Sequence, residues 1–195
     1  MMRTSLLATA IASIAVLATA LPAHAEKLAL KDATGDVWEA DQDSISRSDE
    51  QVNIDLKKST LTHSESSLKL VAKYADLRRN AKGRFALTLE IRDNESDYTY
   101  GLVLARSGNP QGRARLSDGS TGGRVHCPGL DHQIKYGKET IALAIPRSCL
   151  GEPTWVRARI GAARIKKADS ETVYFDDAST TRAFSRRWTE RLTVG

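Results

Sequence analysis

Aspartates gather in two places along this chain: Asp32, Asp36, Asp41 and Asp43 around a glycine near its start, and the pair Asp176 and Asp177 near its end. Carboxylate oxygens are what a hard cation selects, and Ca²⁺ takes roughly six to eight such ligands. A fold that brings the first and last strands together would let Asp32, Asp36 and Asp176, with backbone carbonyls, hold calcium. The spacing is not that of an EF-hand loop, and Asp-x-x-Gly-Asp also serves as an ordinary solvated turn, so both readings stand.

A second chemistry belongs to the cysteines, Cys127 and Cys149. In an exported chain two thiols are expected to pair, and closing a loop of about 23 residues contributes roughly 3 kcal/mol by restricting the unfolded chain. The alternative makes Cys127 a nucleophile with His126 as its base, but neighbours in an extended segment point to opposite faces. A third candidate is the stripe Trp155, Arg157 and Arg159, whose side chains share one face of a strand. One aromatic ring and two guanidinium groups suit a sugar or an anionic polymer; equally, arginine stems covering a tryptophan make an ordinary wet outer face.

Other catalytic signatures are missing from the sequence. It has no G-x-S-x-G elbow, H-E-x-x-H helix, phosphate-binding glycine loop or C-x-x-C pair. The 24 acidic residues must contain pairs at glycosidase spacing by chance, and nothing in the sequence singles one out. Basic residues run through 78–84, 106–124, 157–167 and 182–191, and the first three of these runs contain no aromatic residue, which disfavours a nucleic-acid stacking platform.

The elements that must position these residues are strands. Phe85, Leu87, Leu89 and Ile91 alternate with Ala86, Thr88 and Glu90, the pattern of a half-buried antiparallel strand. Similar alternation covers 52–56, 68–74, 98–104, 141–145, 156–160 and 173–175, with polar turns between, and no segment keeps a helical period. Many short strands at close spacing predict an all-β antiparallel sandwich, immunoglobulin-like or jelly-roll-like. Residues 107–129 are rich in glycine and proline and read as a long loop with one short strand at 113–116, which the disulfide would fasten to the sandwich. Residues 179–195 read as an irregular tail, either a last strand or partly mobile.

The first 25 residues read differently. Arg3, an uncharged apolar run to Leu21 and Ala23-His24-Ala25 have the form of a cleavable secretory signal. That predicts a single domain over residues 26–195, secreted to the extracellular space and free of the membrane after cleavage. A retained anchor would need a basic stop-transfer flank, and none follows. The chain carries a net charge of +5, which favours extracellular anionic partners over specific nucleic-acid recognition.

Asp32-Ala33-Thr34-Gly35-Asp36-Val37, Ile54-Asp55-Leu56, Cys127-Pro128-Gly129-Leu130 and the run from Ile145 to Arg157 resemble segments of small secreted bacterial β-sandwich proteins of uncharacterised function. Their strand layout is similar to that of family-nine carbohydrate-binding modules and DOMON-type domains. The resemblance implies a sandwich and an exported location, and for function only an analogy, since no paired-tryptophan sugar clamp or haem ligand set maps onto this chain.

Three functions follow as expectations. The first is a secreted, non-catalytic module that binds a glycan or cell-wall polymer through Trp155, Arg157 and Arg159. The second is a protein-binding or inhibitor module presenting the 107–129 loop, with Arg113 and Arg115 as contacts. The third is a hydrolase whose carboxylates the sequence conceals.

Overall fold

In a computed structural model the described residues are 25–48, 51–79, 83–93, 98–106, 108–165, 172–181 and 187–195. The secretory signal expected over 1–25 lies outside them except for Ala25. The strands are β1 (Glu26–Lys31), β2 (Trp38–Ala40), β3 (Ile45–Arg47), β4 (Leu56–His63), β5 (Ser67–Tyr74), β6 (Arg84–Arg92) and β7 (Tyr98–Arg106). There follow β8 (Asn109–Asp118), β9 (Arg124–Val125), β10 (Asp131–Lys135), β11 (Thr140–Pro146), β12 (Trp155–Ile165), β13 (Val173–Asp177) and β14 (Leu192–Thr193). Two short 3₁₀ turns flank β11.

All pairings are antiparallel, and they form two sheets. One has five strands in the order β1-β4-β5-β11-β10; the larger has the order β3-β2-β13-β12-β6-β7-β8-β9, with β14 also paired to β12. Period-two alternation dictates how they face. Leu61, Leu68, Leu70, Ala72, Ile141, Leu143 and Ile145 of the smaller sheet join Leu87, Leu89, Ile91, Val103, Val156 and Ile160 of the larger in one buried cluster. The protein is therefore an all-β antiparallel sandwich, as its alternation predicts.

Close approach of the sheets is visible at Gly101 on β7. A Cβ there would stand 3.0 Å from a methyl of Leu143 and 3.4 Å from one of Ile145. Cys127 and Cys149 form a disulfide, with Cα atoms 5.4 Å apart. It joins the chain just before β10 to the turn just after β11, so it closes the base of the β10–β11 hairpin. A nucleophilic Cys127 is excluded, because its sulfur is already bonded.

Two segments correct the sequence reading. Residues 107–129 are not a long loop: β8 takes ten of them, and Asp118 then ties a tight turn. One Asp118 oxygen accepts from Ser120 N–H, Ser120 O–H and Thr121 N–H. The alternation at 52–56 belongs to a strand only at its end, since 52–54 turn before β4 begins at Leu56. The described end of the tail takes the strand alternative: Leu192 is buried in β14, and Thr189 N–H and Val194 N–H donate to the carbonyls of Ala158 and Thr154. Among the described residues no helix is long and apolar enough to cross a membrane.

Candidate functional site

The first site lies where the sheets meet at the start of β4. Asp32 follows β1; Asp36 sits in the turn after Gly35, whose φ of +78° is a conformation that glycine adopts without strain. Asp55 immediately precedes β4, and Asp176 points inward from β13. The two sheets are joined directly, as Leu56 N–H donates to Asp176 Oδ2 at 2.6 Å. Gly35 N–H donates to Asp55 Oδ2 at 2.8 Å, which holds the turn over the strand start.

Fold topology thus unites the predicted trio. One carboxylate oxygen each from Asp32, Asp36 and Asp176 lies within 4.8 Å of the others. Burial, then the charges of Asp176 and Asp36, push the Asp32 pKa up to about 9. Burial also raises Asp176 to about 7; the Leu56 hydrogen bond opposes it, while Asp36 and Asp55 add to it. Asp36 and Asp55 are shifted upward too, in both cases chiefly by burial. Sequence reasoning missed Asp55 because it falls in a segment whose alternation reads as strand.

Raised carboxyl pKa values also occur in hydrolases. Their geometry is different: a glycosidase sets its two carboxyls roughly 5 to 10 Å apart across an accessible scissile bond. Asp36 and Asp176 are 1% and 3% exposed, and the cluster is too tight and too deeply buried to admit a glycosidic bond between its members.

The second site is the outer face of the larger sheet, built by cross-strand register. Side chains opposite the core form rows: Phe175, Ala163, Ala86, Leu104 and Arg113 in one; Asp177, Gly161, Thr88, Leu102 and Arg115 in the next. A third row is Arg159, Glu90, Tyr100 and Ser117. Small residues in the middle of these rows leave a groove of about 710 Å³, floored by Gly161 and Ala163 and lined by Phe175, Tyr100, Thr88, Glu90, Arg159 and Asp177. Beside it a hollow of about 200 Å³ is lined by Arg84, Arg106, Arg113 and Arg115. Arg84 and Arg106 stand directly opposite one another on β6 and β7, an unfavourable placement for like charges. Among the described residues none of these four arginines forms an ion pair.

Of the predicted stripe, only Arg159 lines the groove. All three residues are on the outer face, but the C-terminal segment covers two of them. Arg191 stacks 4.4 Å over the Trp155 ring, and Arg159, ion-paired with Glu90, lies 4.4 Å from the centre of the Trp188 ring. Trp155 is thus capped by its own chain. The groove residues Phe175, Tyr100 and Glu90 were not singled out by sequence; shared parity on neighbouring strands is the signal that carries them, and it needs the strand order to be read.

No known protein-family model matches the chain, and no curated protein matches it in sequence.

Proposed function

We propose that this is a secreted, non-catalytic binding module whose outer sheet face takes an acidic glycan or wall polymer. The observation that carries it is the arginine hollow: four guanidinium groups, without ion pairs among the described residues, on the face that holds an aromatic-lined groove. Arginine forks match carboxylate and phosphate groups. Phe175 and Tyr100 offer apolar rings to a sugar's C–H face, and Thr88, Glu90 and Asp177 offer polar partners. Secretion rests on the signal-like leader, with which a disulfide agrees. The sandwich layout also agrees with the resemblance to carbohydrate-binding modules.

Retention on uronic-acid polysaccharides, wall preparations and neutral glucans tests this reading. Expected are retention on the acidic polymers, weakening with salt, and its loss both in Arg113→Ala/Arg115→Ala and in Ala163→Trp, which fills the groove. No retention on any polymer, or equal retention by both variants, would sink it. The inhibitor reading is less well supported, because the 107–129 segment presents Arg113 and Arg115 from a strand within the sheet and not from a protruding loop.

A further inference from the structure

We propose that Asp32, Asp36 and Asp176, with Asp55 beside them, form a buried Ca²⁺ site that pins the β1–β2 turn and the start of β4 to β13. The cluster also holds buried oxygens that find no hydrogen-bond partner among the other described residues. Asp36 is 1% exposed, and neither of its carboxylate oxygens accepts a hydrogen bond from any other described residue; Asp55, 2% exposed, has no partner at Oδ1 among them. Asp32 Oδ2 and the hydroxyl of the buried Tyr74, which feels the Asp176 charge, are likewise unpartnered.

Ionised carboxylates are not buried in this state without a compensating charge. Among the described residues none supplies one in contact. Arg47 and Lys57, the bases whose charges reach Asp36 and Asp55, are exposed and form no ion pair with them among the described residues. A single cation at the centre would supply it. Ligands around Ca²⁺ at roughly 2.3 to 2.6 Å stand at most about 5 Å apart, which the 4.8 Å spread of the trio satisfies.

The choice of ion follows from the donors. All are oxygens, with no nitrogen or sulfur to favour zinc or copper. Mg²⁺ gives up its waters reluctantly and keeps several, whereas Asp36 and Asp176 leave little room for them. Ca²⁺ accepts a dehydrated, irregular set of carboxylates and carbonyls. The site joins both sheets, so the bound ion would act on the stability of the whole fold, independently of any polymer in the groove.

Thermal unfolding of the purified protein, stripped with EDTA and then given Ca²⁺ or Mg²⁺, tests the site, together with calorimetric titration. Expected is one equivalent of Ca²⁺ and, at about a hundredfold excess over Kd, a rise in Tm of roughly 5 to 10 °C, with a smaller rise for Mg²⁺. Asp36→Asn should lose the rise, yet in EDTA melt at or above the wild type, because it removes one charge from a self-repelling group. A purely structural aspartate would not show that reversal. Asp32→Asn, at the rim, gives the same reading should Asp36→Asn fail to fold. Wild-type Tm equal in Ca²⁺ and EDTA with no ion bound would overturn the proposal in favour of shared protons, as would a full Ca²⁺ response in both variants.

Discussion

His63 shows how one buried side chain makes stability depend on pH. Its ring is wholly buried on β4; Nδ1 donates to the Leu192 carbonyl at 3.0 Å, and Nε2 has no partner among the described residues. Burial holds its pKa below the ordinary 6.5, against the pull of the Leu192 carbonyl. Above that ordinary value the imidazole is neutral in the folded and unfolded chain alike, and contributes no pH dependence. Below it the unfolded chain binds the proton first, so stability falls until the folded-state pKa is passed. Between about pH 7.5 and 5 the wild type should therefore lose more of its urea midpoint than His63→Gln, which keeps an N–H for Leu192. Equal losses would remove His63 from the account. None of this was legible from a lone histidine between Thr62 and Ser64. Asp32, Asp36 and Asp176 were legible as oxygen donors; that they meet depends on the fold bringing the end of β1 against β13, which residue types alone do not show.

At the scale of elements, β8 is where composition misleads. Glycines at 108 and 112 and Pro110 normally punctuate loops, yet Asn109–Asp118 is a ten-residue strand. The reason lies in its pairing with β7, which shifts register between Leu104 and Arg106. Gly112 meets that irregularity with a φ of +69°, and a Cβ on it would stand 2.8 Å from the Leu104 carbonyl oxygen. Only the backbone fits, so glycine marks a bulge within the strand and not its end. Gly112→Ala should cost about 1 to 3 kcal/mol and lower the urea midpoint at unchanged m. Gly137→Ala, where a Cβ would meet nothing within 4 Å, serves as the control and should change little. A neutral Gly112→Ala would mean that the bulge relaxes freely. Strands with clean alternation, such as β6, needed no such knowledge: Phe85, Leu87, Leu89 and Ile91 are all buried.

Across the whole molecule the two sheets share one core, and the question is whether they unfold together. The tryptophans answer it. Trp38 is in β2, Trp155 in β12, and Trp188 stacks on Arg159 of β12, so all three report on the larger sheet. The disulfide closes the β10–β11 hairpin at the edge of the smaller one. Between them lie Leu143 and Ile145 packed onto Gly101, the Leu56 N–H on Asp176, and the His63 ring on Leu192. Each contact crosses from one sheet to elements of the other, so loosening the hairpin removes support from the whole core. Cys127→Ser/Cys149→Ser loses about 3 kcal/mol of loop-closure stabilisation, which lowers Tm by roughly 6 to 12 °C in a chain of this size. Tryptophan fluorescence should register that drop in full, at the same midpoint as far-UV circular dichroism, because a change in the smaller sheet is felt by reporters in the larger. If the fluorescence midpoint instead stays at its wild-type value while the dichroism midpoint falls, the sheets are separate cooperative units and the cross-sheet contacts do not couple them.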